Sequence, residues 1–464
     1  MKNLIIIAIV LFQAALLHAS DWPRFRGTNG TGISTDTGLP DAMDREKNVV
    51  WSTKTPAGNS SPIIIGSRLF ITAHEGDNRI VLCLNAKTGE ELWRKNIKKA
   101  RTEFFNPRNG PTTPTPASDG KLVSVFFPEI GIITYDLEGK ELWQTPLGPF
   151  ASAQGLSSSP IIANGNVIVL IDTPEQAYLA AFDSKTGKQV WKTEREAGVL
   201  GSYATPTLDL HNNIIIVAGA VELTGYDAKT GERLWWARGV TDFPCAPPFV
   251  LGDSVYSVEP AAGGWPPFTE PLRVLDKNKD GKIESNELSD DQVAWSRSLK
   301  GIDRNAGNRD GVITEDEYTK VSYGGNAGGL SRLKLGGKGN VGQTHVLWRN
   351  TKGMPSLSGA LLLNKIIYTV DNGIVSTFNP ETGSLLKQQK LAEAPGDYYA
   401  SPIAADGKIY MVSLKGKATA LKAGSDWQIL STSDFGEEVI ATPAIADNKI
   451  FVRTGTTLYC FGKK

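Results

Sequence analysis

The chain has 464 residues, more than the ~250 to 300 that one ordinary core supports, so it is either several domains or one body built from repeats. Hydrophobic residues make up 40% and charged residues 21%, with 48 Gly and 26 Pro, a well-packed and turn-rich composition that excludes disorder, collagen and long helical arrays. Lys plus Arg (49) balance Asp plus Glu (49), so no global field exists to hold nucleic acid or an anionic membrane. Any binding is local.

Residues 1–20 carry one Lys, an apolar run from Leu4 to Leu17, and small residues at Ala19 and Ser20. This pattern predicts a secretory signal and an exported, periplasmic or extracellular protein. The run is shorter than a bilayer span, no later segment reaches that length, and no Cys follows the signal, so neither a transmembrane segment nor a lipid anchor is expected. Only Cys83, Cys245 and Cys460 occur, too few for a disulfide framework. His74, His211 and His345 are far apart in sequence and mark no metal site or triad.

From residue 61 onward the chain repeats itself. Ser, Thr or Ala precedes Pro, and an apolar residue follows about seven later: Ser61-Pro62 with Leu69, Ser159-Pro160 with Val167, Ser401-Pro402 with Ile409, Thr442-Pro443 with Ile450. Related copies begin near Pro114, Pro206, Pro248 and Gly359, which makes eight units, with one long interval between Pro248 and Gly359. Downstream of the anchors a second phrase recurs: Cys83-Leu84-Asn85, Thr88-Gly89, Leu92-Trp93; then Thr134-Tyr135-Asp136, Gly139, Leu142-Trp143; then Ala181-Phe182-Asp183, Thr186-Gly187, Val190-Trp191; then Gly225-Tyr226-Asp227, Thr230-Gly231, Leu234-Trp235. A weaker copy, Thr377-Phe378-Asn379, Thr382-Gly383, Leu386, has Lys387 in the Trp position. Each phrase is a strand, a tight turn opened by the Asp or Asn side chain, a Gly at positive φ, and another strand.

A period of ~40 to 50 residues signals a propeller or solenoid. The last unit ends at Cys460-Phe461-Gly462 without its outer strand, while Val49-Val50-Trp51 stands unpaired near the other end. Lending that strand to the last sheet pairs both edges. The prediction is an all-β, eight-bladed propeller of four-stranded antiparallel blades, its N-terminal strand closing the last blade. Trp51, Trp93, Trp143, Trp191, Trp235 and Trp348 form a girdle, each indole lying on a small residue of the neighbouring strand. Cys83 and Cys460 then occupy equivalent places on adjacent blades, too far apart to join.

The repeated small-x-Asp/Asn-x-x-Thr-Gly-x-x-Leu-Trp phrase resembles the tryptophan-docking repeat of quinoprotein-like propellers, a group that includes pyrroloquinoline quinone (PQQ) dehydrogenases and the assembly factor BamB. Asp21-Trp22-Pro23-Arg24-Phe25-Arg26-Gly27 resembles the start of many exported bacterial propellers of this type. The resemblance specifies fold far better than function.

The stretch Arg94, Lys95, Lys98, Lys99, Arg101, Phe104, Phe105, Arg108 mixes basic and aromatic residues and reads as a solvated loop between blades. In 259–325 the strand pattern breaks, dividing the propeller into 21–258 and 326–464. Asp276, Asn278, Asp280, Gly281, Lys282, Ile283, Glu284 and Glu287 hold positions 1, 3, 5, 6, 7, 8, 9 and 12 of an EF-hand loop, with the oxygen ligands a hard cation such as Ca²⁺ requires. A second copy, Asp303, Asn305, Asp310, Gly311, Val312, Ile313 and Glu317, carries three extra residues around Ala306 to Asn308. Ile283 and Ile313 are placed to bridge the two loops, and Leu288, Trp295, Leu299 and Ile302 share a helical face between them. The module is therefore expected to be a small helical EF-hand pair whose calcium is structural. The Gly-rich run Gly324 to Gly342 reads as a flexible return.

Residues just ahead of each anchor should gather at one mouth of the central channel: Arg108, Asn109, Gln154, Tyr203, Asp242, Tyr398 and Tyr399. Their aromatic, amide and charged groups suit a polar ligand or an envelope protein. The resemblance also implies an enzymatic alternative, a PQQ-dependent alcohol dehydrogenase. Members with that activity use adjacent cysteines, a calcium held by Glu and Asn, and a catalytic Asp. Here no cysteines adjoin, and no catalytic Asp is transferable by motif. PQQ is thus possible without motif support, and the chain reads as a binding or scaffold protein.

Overall fold

The computed structural model describes residues 20–463, apart from 153, 174–175, 196–200, 220–221, 239–243, 260–266, 289–298, 300–301, 304–306, 322–327, 353 and 356. Eight antiparallel sheets of four strands form the propeller. In blade one the order from the axis outward is Ile63–Ile65, Arg68–Glu75, Asn78–Asn85 and Glu91–Lys98. Innermost strands of neighbouring blades touch, and Ile63–Ile65 meets Ala444–Ala446 of blade eight, which closes the ring. The second and third strands are almost wholly buried, whereas the outermost alternate between buried and exposed, because only one face of an outer strand meets the next blade.

Blade eight draws its outer strand from the other end of the sequence. Val49–Lys54 pairs antiparallel with Thr457–Phe461, with Trp51 opposite Cys460. This satisfies a row of backbone groups that would otherwise be an open edge.

Each tryptophan docks across a blade boundary on the turn glycine of the next blade. A Cβ on Gly89, Gly139, Gly187 or Gly231 would stand 2.5 to 2.8 Å from the rings of Trp51, Trp93, Trp143 and Trp191 respectively, so the turn needs Gly for contact as well as for positive φ. The indole N–H of Trp51 donates to Ala86 O (3.1 Å), Trp93 to Leu137 O (3.0 Å), Trp143 to Ser184 O (2.8 Å) and Trp348 to Pro380 O (3.2 Å). Trp235 differs. Blade five lacks the Thr-Gly turn, and the indole packs on Gly225 of its own blade. Gly339–Asn340 adds a fifth, parallel strand beside Trp235 and Trp236, so part of the Gly-rich run is bonded sheet edge and not a free return.

The Ser/Thr-Pro anchors have an equally direct cause. The amide of one anchor donates to the anchor hydroxyl of the next blade: Ser61 N to Thr115 Oγ1, Thr115 N to Ser159 Oγ, Ser159 N to Thr205 Oγ1, Gly359 N to Ser401 Oγ and Ser401 N to Thr442 Oγ1, all 2.9 to 3.0 Å. These bonds ring the channel. In blade two the inner strand follows Thr115-Pro116, two residues past the Pro114 that the sequence suggests.

Residues 21–41 run beneath the ring. Trp22 exchanges backbone bonds with Ile64 of blade one, Pro23 O accepts from Ser118 N of blade two, Arg24 donates to Pro206 O of blade four, and Arg26 to Ala360 O of blade six. Gly32 and Ser34 bond to Ala404 of blade seven, and Pro40 O accepts from Tyr410. The segment closes the channel at this end. The insertion leaves between the second and third strands of blade five, Ser254–Glu259 and Gly329–Lys334. Its described part holds helices Thr269–Leu275 and Glu315–Val321 around a separate core of Phe268, Leu275, Ile283, Leu288, Leu299, Ile302, Ile313 and Tyr318. Trp295 lies outside the described residues. Among those residues no helix is long and apolar enough to cross a membrane.

Candidate functional site

The loops that join one blade's outer strand to the next blade's inner strand surround a cavity of about 330 Å³ on the face opposite the N-terminal segment. The anchor residues Ser61, Thr115, Ser159, Thr205 and Ser401 supply its inner wall, and Phe25 supplies the floor. Of the residues expected at the mouth, Arg108, Asn109, Gln154, Tyr203 and Tyr399 line it. Asp242 lies outside the described residues. Tyr398 does not belong to the cavity: it is 4% exposed, packs between blades with Val370 and Leu391, and spends its hydroxyl on Ala394 O (2.9 Å). Adjacent tyrosines on an extended segment point to opposite sides, which sends Tyr398 inward and Tyr399 to the mouth.

Arg108 reaches across the opening to Tyr399, its Nη1 donating to the phenol oxygen (3.0 Å) with the guanidinium 5.6 Å from the ring centre. Gln154 is held by Asn106 Nδ2 on its Oε1 (2.8 Å) and by Asn109 Nδ2 on its backbone carbonyl (2.9 Å). This arrangement leaves the buried Asn109 Oδ1 without a protein donor. Burial raises the Tyr203 hydroxyl to about 12, and burial likewise pushes the Cys245 thiol far up, so neither is a nucleophile near neutral pH. The described lining includes no Asp, Glu, His or Lys. Its chemistry is recognition by hydroxyls, amides and one cation. Sequence reasoning missed Phe25, Cys245 and the anchor hydroxyls as lining residues; the Ser/Thr bias at the anchors was the available signal.

The two loops of the insertion share one bonding plan. Asp276 Oδ1 accepts from Lys279 N and Oδ2 from Gly281 N, Asn278 Oδ1 from Asp280 N, Asp280 Oδ1 from Lys282 N, and Glu287 Oε2 from Glu284 N. In the second loop Asp303 accepts from Arg309 N and Gly311 N, Asn308 Oδ1 from Asp310 N, Asp310 Oδ1 from Val312 N, and Glu317 Oε2 from Thr314 N. Lys279 and Arg309 both adopt positive φ, at 61° and 66°. The third position of the second loop is therefore held by Asn308. Asn305, expected there, lies outside the described residues, within the extra segment 304–306. Ile283 pairs with Ile313 across the loops. Among the described residues no three His, Cys, Asp or Glu side chains are grouped as a metal site, since these carboxylates turn onto their own loop amides.

The comparisons with known proteins agree with this architecture. The family described as outer membrane protein assembly factor BamB matches residues 33–204, 77–259, 175–300 and 340–461. BamB of Burkholderia pseudomallei is 27% identical over 205 residues, which is 42% of this chain and 48% of that protein. A polyvinylalcohol dehydrogenase of a Pseudomonas species is 26% identical over 185 residues, 36% of this chain and 28% of that one. The chain thus spans about half or less of the length of these two relatives. Among solved structures, a europium-containing methanol dehydrogenase superposes with a TM-score of 0.63 over 96% of this chain and 98% of its own, at 10% identity, a likeness of fold alone. With its blades built on the PQQ-type repeat, the chain belongs to the family of the outer membrane protein assembly factor BamB.

Proposed function

We propose that this is an exported scaffold of the cell envelope that holds a partner or polar ligand in the cavity at its loop face, with a calcium-braced module beside it. The observation that carries the reading is the cavity itself, closed below by Phe25 and lined by hydroxyls and amides, with no general base among its described residues. Likeness to BamB supports it. Wild-type protein should retain a partner from envelope extracts, and Ser157→Trp, which fills the cavity from its wall, should lose it. Retention by both would overturn the cavity as the binding site.

The dehydrogenase relatives favour a second reading, in which PQQ occupies the channel. The described residues do not fit that group as the resemblance describes it. No carboxylate lines the cavity to hold a metal beside a quinone, and Cys245 has no neighbouring cysteine. Dye reduction with simple alcohols after adding PQQ and calcium is expected to be absent; robust turnover would restore the enzymatic reading.

For the insertion, Asp276, Asn278, Asp280, the Lys282 carbonyl, Glu284 and Glu287 offer the hard oxygen set that calcium takes, and Asp303, Asn308, Asp310, the Val312 carbonyl and Glu317 offer a second. Titration calorimetry should resolve two sites, of about 10⁻⁴ to 10⁻³ M as in extracellular modules. Glu287→Gln should remove one and leave the propeller's melting unchanged. A titration without heat would refute both sites.

A further inference from the structure

Three arginines stand inside the ring without a carboxylate to neutralise them. Arg24, Arg26 and Arg453 are 6%, 2% and 0% exposed. Arg24 donates to Pro206 O (3.0 Å), Arg26 to Gly30 O (3.1 Å) and Ala360 O, and Arg453 to oxygens of Pro56, Ser60 and Thr72. Every one of these acceptors is neutral. Nε and Nη1 of Arg24, Nη1 of Arg26 and Nε of Arg453 meet no protein acceptor. Burial lowers the three to about 10, 10 and 9, so each remains protonated at neutral pH. A buried charge without a counter-charge is costly, and a fold keeps one where something else brings the opposite sign.

Their position is specific. Phe25, between Arg24 and Arg26, is the cavity floor. The Arg26 guanidinium fills the place where a Gly359 side chain would be, next to Ser401 Oγ, and Ser401 lines the cavity. Arg24 is bonded to Pro206, next to the lining residue Thr205, and Arg453 to Ser60, between the lining residues Asn59 and Ser61. Arg108 adds a fourth cation at the rim. The chain as a whole is neutral, so this positive interior is a local construction. Low-dielectric walls concentrate such a field toward the open end.

We propose that the cavity takes a small oxyanion-bearing molecule, a carboxylate or phosphate compound, its anionic group drawn to the floor where Arg26 lies beside Ser401 and its body against Phe25 and Tyr203. This rests on the cavity being the binding site, as argued under Proposed function. The probes are citrate and inorganic phosphate, titrated calorimetrically at fixed ionic strength set with chloride. At least one binds the wild-type protein with unit stoichiometry, and which one separates carboxylate from phosphate chemistry. Arg26→Gln weakens it about tenfold or more, as loss of a charged hydrogen-bonding group does, and Ser157→Trp abolishes it. Should Arg26→Gln fail to fold, Ser401→Asp serves: a carboxylate beside Arg26 raises the melting temperature and eliminates anion binding. Overturning results are no binding of either probe, or binding undiminished by Ser157→Trp or by Ser401→Asp. If both probes fail while Ser157→Trp still loses the envelope partner, the anionic ligand is wrong and the cavity stands; if the partner survives Ser157→Trp, the cavity reading itself is wrong.

Discussion

Replacing Trp51 with Ala is expected to lower the unfolding free energy by about 3 to 5 kcal/mol, the range for deleting a buried large aromatic. Trp51 is 9% exposed, and four contacts depend on its place in the closing strand. Its indole donates to Ala86 O of blade one, its ring lies over Gly89, it packs against Phe451 of blade eight at 6.0 Å, and two residues on, Thr53 Oγ1 donates to Gly89 O (2.8 Å). Its side chain therefore joins blade eight to blade one, the boundary that the continuous chain does not cross. Trp51→Phe should recover most of the loss, because the ring remains and only one hydrogen bond of about 1 kcal/mol is given up. Urea unfolding followed by near-ultraviolet dichroism measures both, with limited proteolysis to show whether Val49–Lys54 is released first. A Trp51→Ala midpoint within about 1 kcal/mol of wild type would mean that backbone pairing alone closes the ring.

The eight blades were legible because each turn is written in local chemistry. Asp183 Oδ1 accepts the amides of Lys185 and Thr186, Asp227 Oδ1 those of Lys229 and Thr230, and Asn379 Oδ1 that of Glu381, so one side chain sets the turn wherever it occurs. Closure was legible because two incomplete edges demanded each other. Where position depends on distant backbone, the signal fades. Pro111-Thr112-Thr113-Pro114-Thr115-Pro116 offers several anchors, and only the bonds to Ser61 and Ser159 select Thr115. Lys387, in a tryptophan's place, compensates by reaching Trp427 of the next blade, donating to its carbonyl (2.8 Å) with Nζ 4.6 Å from the ring centre. The mouth residues followed from the anchors, but nothing periodic marks Arg24, Phe25 and Arg26. Their partners are single carbonyls and a cavity assembled from blades far apart in sequence. In the second inserted loop, counting forward from Asp303 favoured Asn305, whereas the bonds run backward from Gly311 and choose Asn308.

Arg453→Met should destabilise the protein by about 2 to 4 kcal/mol, and two opposing effects decide the sign. Arg453 ends the strand Lys449–Arg453 of blade eight, and its Nη1 donates to Ser60 O (3.1 Å), Ser60 Oγ (2.8 Å) and Thr72 O (2.8 Å), its Nη2 to Pro56 O (3.2 Å), all in blade one or the segment leading into it. Met removes a buried charge and so relieves a desolvation cost of several kcal/mol. It also strips donors from buried carbonyls at about 1 to 3 kcal/mol each, and from a charged donor the lost bonds weigh about 1.5 to 3 kcal/mol apiece. With four acceptors served by one guanidinium, the lost bonds outweigh the relieved charge. Lys should not rescue, since a single ammonium cannot span acceptors that the two Nη atoms reach in different directions. Hydrogen exchange should locate the damage at the same boundary that Trp51 guards, with faster exchange of Leu458 to Phe461 and of Ser60 and unchanged protection in blades three and four. A variant as stable as wild type would show that desolvation dominates, and that the ring is held at this boundary by its outer indole rather than by its inner arginine.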